Sequence, residues 1–275
     1  MRIDAHQHFW QYEPVRDSWI GEDMSAIRRD FMPEDLWPVL QENGIDGCIT
    51  VQSDQSEAEN VFQLKNAKAH AFIKGVVGWV DFRSPALKEN LEELSRHHKL
   101  KGFRHVLQGE AQRDLMLEPF FTQGIGLLAK HRFTYDLLIF PDQLAFVAEL
   151  AGRFPDQPFV LNHIAKPRIK EGLIDPWCED IKALARCPNV YCKLSGLVTE
   201  ADWLHWRPED FRPYLDLVVD AFGTDRILFG SDWPVCLVAA SYSNMRSILD
   251  DYFKDFSADE QRKFWGQNAQ TFYNL

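Results

Sequence analysis

Eight short apolar runs, each separated from the next by a longer and mostly amphipathic stretch, set the strongest limit on how this chain folds. The runs are Arg2–Ala5, Gly47–Gln52, Ile73–Val80, Leu100–His105, Phe133–Ile139, Pro158–Asn162, Val190–Leu194 and Arg226–Gly230. Several, such as GCITVQ, IKGVVGWV, PFVLN and RILFG, are almost wholly apolar. Runs of that kind suit strands buried on both faces of a parallel sheet. The stretches between them read as helices. MPEDLWPVLQENG has Pro33 near its start and Gly44 past its end, with Pro38 an imperfection inside. SEAENVFQLKNAKAH opens with Ser56 and Glu59 at the spacing of a capping box. PDQLAFVAELAGRF carries an apolar stripe, PEDFRPYLDLVVDAFG ends at Gly223, and SYSNMRSILDDYF follows the last run.

Eight strand–helix units in 275 residues predict an α/β chain of the (β/α)8 TIM-barrel type, a single domain over residues 1–275. A doubly wound open sheet is the alternative. The two differ in a checkable way, because a barrel gathers its functional groups at the C-terminal ends of its strands. Composition narrows the partners. Net charge is −11 with no basic tract, which speaks against nucleic acid. No run of about eighteen apolar residues is present, so no membrane span is expected. The start of the chain, Arg2-Ile3-Asp4, lacks the apolar stretch of a signal peptide. Cys48, Cys178, Cys187, Cys192 and Cys236 are odd in number and form no C-x-x-C pair. They read as reduced thiols in a cytoplasmic protein.

Polar residues recur where the strands should end. Strand one ends in Asp4, His6 and His8, strand two at Gln52, and strand four in Arg104 and His105. Strand five holds Tyr135 and Asp136, whose directions alternate so that at most one faces the lumen. Strand six ends in Asn162, His163 and Lys166, strand seven in Lys193 and Ser195, and strand eight in Ser231 and Asp232. His70, His97, His98 and His131 fall in or beside helices and read as surface or packing residues. His205 lies in the loop after strand seven. Asp4 reads as an orienting group and Gly230 as a tight-turn residue. His6, His8, His163 and Asp232 are the expected catalytic set, and their nitrogen and oxygen donors also suit a metal such as zinc. Two chemistries are open to them. A metal would polarise a carbonyl and activate water. Without a metal, a carboxylate would take a proton from water while the histidines and Arg104 hold an oxyanion.

The ordered segments DAHQHFW, SWIGEDMSAIRRDFMPEDL, KGFRHVLQ, NHIAKP, CKLSGLVTEADW and LFGSDWPVC resemble the amidohydrolase superfamily. The likeness is to its sugar-lactonase branch of L-fuconolactonase-like and L-rhamnonolactonase-like hydrolases, and it runs from Asp4 past Ser241. It implies hydrolysis of a sugar-acid lactone on a (β/α)8 barrel. His6 and His8 match the family's strand-one pair, His163 its strand-six histidine, and Asp232 its strand-eight carboxylate, the base. Arg104 and His105 match a strand-four pair that binds substrate. They stand where binuclear members carry a bridging carboxylated Lys or Glu, so the resemblance implies no cofactor or one divalent metal, zinc. Lys166 joins the expected substrate-binding group. Trp19, Trp203 and Trp233 either grip a polyhydroxylated ring or close the barrel mouth. The stretch Ser18–Phe31 exceeds a simple turn and is expected to form a lid. Expected partners are a small sugar lactone and at most a second copy of the chain, as a monomer or homodimer. Two other readings stay open: a metal-dependent decarboxylase of an unsaturated or aromatic acid, and a non-catalytic sugar-acid binding barrel.

Overall fold

Strand pairing closes the chain into a ring through residues that also carry its polar groups. The computed structural model describes residues 1–275. Its strands are β1 (Ile3–Gln7), β2 (Gly47–Val51), β3 (Ile73–Gly78), β4 (Leu100–His105), β5 (Thr134–Leu137), β6 (Phe159–Leu161), β7 (Val190–Leu194) and β8 (Ile227–Phe229). They pair in parallel, each with the next in the sequence. Between β8 and β1 the ring is completed just past the strand ends. There His8 N donates to Trp233 O at 2.7 Å, and Asp232 N donates to His6 O at 2.8 Å. All eight expected strands are present, so the open sheet is set aside. Their ends shift by at most two residues; β1, for example, extends beyond Ala5 to Gln7.

Helices α1 (Pro33–Glu42), α2 (Glu57–Ala69), α3 (Leu87–Leu94), α4 (Pro119–Leu128), α5 (Leu144–Arg153), α6 (Trp177–Ala185), α7 (Pro208–Phe222) and α8 (Tyr242–Phe253) follow the strands in turn. α1 runs through Pro38, as the uninterrupted apolar face of Leu36 and Leu40 allows. The capping box of α2 is half made. Ser56 Oγ accepts from Glu59 N at 3.3 Å, but the Glu59 carboxylate turns to Ser53 N and to Gln63 Nε2. Outward strand residues such as Cys48, Val76, Phe103 and Tyr135 pack with the helices in the larger core.

The barrel interior is a separate, smaller core. Ile3, Ala5, Ile49, Val51, Val77, Val160 and Leu228 fill it. Two further helices, α9 (Ala258–Arg262) and α10 (Asn268–Phe272), end the chain. α10 brings Ala269, Phe272 and the following Tyr273 against this interior. Two charged residues, Asp136 of β5 and Lys193 of β7, are wholly buried here as well. Tyr135, the neighbour of Asp136, lies instead among Phe82, Phe121 and Phe159, as strand alternation requires.

Candidate active site

A β-bulge aims the histidines of β1. Ile3 and Ala5 face the lumen, so strict alternation would send His6 outward. From Asp4 to Gln7 the strand advances three residues while β2 advances two, from Cys48 to Thr50. The extra residue reverses the alternation. His6 therefore turns inward and His8 follows it, their rings meeting edge-on at 5.0 Å. Asp4, one residue before the bulge, does not reach the mouth. Its carboxylate accepts from His6 N at 3.1 Å, Ser231 N at 2.9 Å and Tyr242 Oη at 3.1 Å. It is the orienting group expected, tying β1 to the turn after β8.

That turn presents Asp232, whose φ is +57°. Asp232 Oδ1 lies 3.3 Å from His8 Nε2, 3.7 Å from His6 Nε2 and 3.8 Å from His163 Nε2. One carboxylate oxygen is thus faced by three imidazoles. His163 arrives by an unusual backbone. It begins a run with Ile164, Ala165 and Lys166 in which all four φ values lie between +47° and +60°. Each such non-glycine residue costs about 1–3 kcal/mol and persists only where its surroundings impose it. Ser195 Oγ meets His163 Nδ1 at 2.9 Å. Gly196, at φ +63°, leaves room for the ring: an added Cβ would lie 2.5 Å from His163 Nδ1. Gly230 also serves close approach and is not the expected tight-turn glycine. Its φ is not positive, and an added Cβ would stand 2.7 Å from His6 Cβ.

Beneath the histidines lies a buried polar floor. Arg104 Nη2 donates to Gln52 O at 2.5 Å, and Nη1 lies 3.4 Å from both Asn162 Oδ1 and His6 Nε2. Asn162 Nδ2 donates to Asp136 Oδ2 at 3.0 Å, and Lys193 Nζ donates to the same oxygen at 2.5 Å. Tyr273 Oη donates to the Asp136 carboxylate from below at 3.0 Å. Arg104 Nε has no partner. The sequence presented Gln52, Asn162, Asp136, Lys193 and Ser195 as strand-end or strand polar residues without assigning them roles. Their joint signal is charge and amide groups inside otherwise apolar strands.

Burial dominates the electrostatics. It drives the His163 imidazole down to about 3, with Lys166 and Arg104 adding to the shift and Asp232 opposing it. Burial also lowers His6, helped by Lys193, and lowers His8 against the pull of Asp232. The rings are neutral at pH 7. Burial would raise the Asp232 carboxyl, but His163, the bond with His8 and the Lys166 charge outweigh it, and the net shift is downward. Burial takes the Arg104 guanidinium down to about 10, so it stays charged at pH 7.

One atom of each of His6, His8 and Asp232 lies within 4.8 Å of the others, and two imidazoles with a carboxylate suit a divalent metal. His8 satisfies the usual outer condition for such a ligand. Its Nδ1 lies 2.8 Å from Val51 O, a carbonyl that can only accept, so the proton is on Nδ1 and a lone pair is on Nε2. That lone pair faces a carboxylate oxygen at 3.3 Å. Two acceptors so placed leave room for a cation or a hydrogen-bond donor between them. The residues fit a metal, and His6, His8 and Asp232 form a candidate divalent-metal site. His163 lies outside this three-member set and reaches it through Asp232.

The other expected residues are spread more widely. His105 lies on the far side of β4 from Arg104, where its Nε2 pairs with Glu110 at 2.6 Å and its Nδ1 accepts from Trp79 Nε1. Lys166 Nζ lies 3.6 Å from Glu200 Oε1. Trp19, 47% exposed, packs edge-on to Trp10, which lies beside His8. Trp203 is half-buried and donates to Thr199 O. Trp233 is 3% exposed, its ring lodged between Phe9 and Phe31, so it closes the mouth. His205 is exposed beside Asp202. The Ser18–Phe31 stretch is pinned at its far end, where Phe31 and Trp10 exchange backbone bonds of 2.9 and 3.0 Å. It is anchored to the rim at that end.

The amidohydrolase family model matches residues 3–275. The chain belongs to the amidohydrolase family. An L-fucono-1,5-lactonase of Burkholderia multivorans is 41% identical over all of this chain and 96% of its own length. A second L-fucono-1,5-lactonase, of Burkholderia ambifaria, is 36% identical over the whole chain and 96% of its own. Among solved structures, an amidohydrolase of Burkholderia multivorans with bound zinc superposes with a TM-score of 0.95 at 41% identity, covering 100% of this chain and 99% of that one. This amidohydrolase is an enzyme, and three histidines, one aspartate and one buried arginine meet at its barrel mouth. No helix in it is long and apolar enough to cross a membrane.

Proposed function

We propose that this amidohydrolase opens the ester ring of a sugar-acid lactone of the L-fuconolactone type. The observation that carries the reading is its full-length likeness, at 36–41% identity, to two L-fucono-1,5-lactonases. Neither the decarboxylase nor the binding-barrel alternative draws comparable support. A lactone is neutral, in keeping with a mouth in which Asp232 and Glu200 face Arg104 and Lys166.

Asp232 is the base. It takes a proton from water, and the water oxygen attacks the lactone carbonyl. His8, a lone-pair carrier at Nε2, shares the water's hydrogens. The carbonyl oxygen gains negative charge and is met by N–H donors from Arg104 and His163. The ring C–O bond then breaks, and the alkoxide takes back the proton held by Asp232. The divalent metal is zinc in this reading, held by His6, His8 and Asp232; when bound, it supplies carbonyl polarisation and a more acidic water. Trp19 and the Lys166–Glu200 pair are offered to the sugar hydroxyls.

A pH-indicator screen of aldonolactones, with and without a chelator, tests this. Acid release is expected fastest from an L-fuconolactone-like substrate. Failure to open any aldonolactone, with decarboxylation of an aromatic acid instead, would overturn it.

A further inference from the structure

The last residues of the chain close the end of the barrel opposite the histidines. Asn268 Nδ2 donates to Thr224 O and Ile227 O at 2.8 Å, Gln270 Nε2 to Met1 O at 3.1 Å, and Lys101 Nζ to Asn274 O at 2.8 Å. Ile227 starts β8, Lys101 stands second in β4 and Met1 precedes β1, so α10 is fastened to the strand starts. Ala269 and Phe272 pack there against the apolar interior. Tyr273, 1% exposed, sends a hydroxyl up into it and meets Asp136 Oδ1 at 3.0 Å and Oδ2 at 3.2 Å. Packing alone does not call for that hydroxyl, because a phenylalanine would fill the same space with no polar group to satisfy. From Asp136 the contacts run on to the mouth. Asp136 Oδ2 accepts from Asn162 Nδ2 at 3.0 Å, which fixes the sense of that amide. Asn162 Oδ1 then points to Arg104 Nη1, at 3.4 Å. The guanidinium is gripped unevenly: Nη2 is tight on Gln52 O at 2.5 Å, Nη1 is loosely held, and Nε has no partner. The direction of Nη1 therefore follows Asn162. Burial lowers the Arg104 guanidinium, and among the charges opposing that shift Asp136 does most.

We propose that Tyr273, Asp136 and Asn162 are positioning residues acting as one chain, through which the last turn of the protein aims the Arg104 guanidinium at the mouth from the opposite end of the barrel. That Arg104 meets a developing oxyanion rests on the lactonase reading; the aiming does not.

The test compares Tyr273→Phe with Phe272→Leu in the whole enzyme. Phenylalanine at 273 keeps the ring, with the Lys193 ammonium 5.4 Å from its centre, and removes only the hydroxyl. Phe272→Leu loosens the same plug and removes no polar group. The Arg104 Nε–H signal in proton–nitrogen spectra, identified by its loss in Arg104→Met, is expected to move in Tyr273→Phe and to stay in place in Phe272→Leu. On the best lactone, kcat is expected to fall about 3–30-fold in Tyr273→Phe, but by less than about twofold when the same change is made in Arg104→Met. Phe272→Leu should lower the melting temperature and keep kcat. An unmoved Arg104 signal in Tyr273→Phe overturns the proposal. So does an equal kcat loss with and without Arg104, or a loss matched by Phe272→Leu, since either outcome reduces Tyr273 to packing. If Tyr273→Phe does not fold, Asn162→Ser, which breaks the chain next to Arg104, decides by the same signal and the same cycle. If no lactone is opened, the substrate reading fails, and the Arg104 signal alone decides the positioning.

Discussion

Gly196→Ala should damage catalysis without replacing any reacting group. An ideal Cβ at position 196 would sit 2.5 Å from His163 Nδ1 and 2.7 Å from Cγ, where ordinary contact begins at 3.4 Å. The imidazole must therefore give by about 0.9 Å. It has little freedom to do so, because Ser195 Oγ holds Nδ1 at 2.9 Å and the backbone of His163 is already left-handed. A misplacement of about 1 Å in a catalytic constellation costs on the order of 10²-fold in rate. Alanine at φ +63° adds about 1–2 kcal/mol of backbone strain, to be seen as a lower melting temperature. The assay is steady-state kcat on the best lactone, with circular dichroism to confirm the fold. A folded variant keeping more than about a third of wild-type kcat falls far short of the loss expected. It would show that His163 need not stand where Gly196 lets it stand.

Arg104→Met should raise KM and lower kcat by up to about 10²–10³-fold. It should also reduce stability, because Gln52 O and Asn162 Oδ1 lose a buried donor at about 1–3 kcal/mol each; unchanged KM and melting temperature together would contradict this. Glu200→Gln should change the pH dependence of stability. Burial raises the Glu200 carboxyl above its ordinary 4.5, with Lys166 opposing. Its folded form then binds more protons than its unfolded form, so stability falls as pH climbs from about 4.5 through the raised value. Urea titrations over that range should show the wild type losing stability relative to Glu200→Gln, and parallel curves would refute the assignment.

The fold was legible because strands buried on both faces leave almost uninterrupted apolar runs, as in GCITVQ and RILFG. His6, His8, His163 and Asp232 were legible for a related reason: strand ends are where a barrel exposes side chains. What escaped depends on backbone detail. The bulge between Asp4 and Gln7 has no glycine to announce it, and nothing in NHIAK betrays four left-handed residues in a row. Gly230 looked like a turn because a missing side chain serves close packing as well as positive φ. The Asp136–Lys193 pair was hidden by sequence distance, since it forms over β6 between the two strands that flank it. His105 sits next to Arg104 in sequence but on the other side of its strand, a separation that alternation alone could have foretold.

Asp232→Asn tests the central claim most directly. It keeps the shape of a side chain faced by three imidazoles and removes the base. With a sugar-acid lactone as substrate and the fold confirmed by circular dichroism, kcat should fall by about 10²–10⁴-fold. A folded Asp232→Asn enzyme that keeps more than about a tenth of wild-type kcat would contradict the assignment of the proton transfer to Asp232.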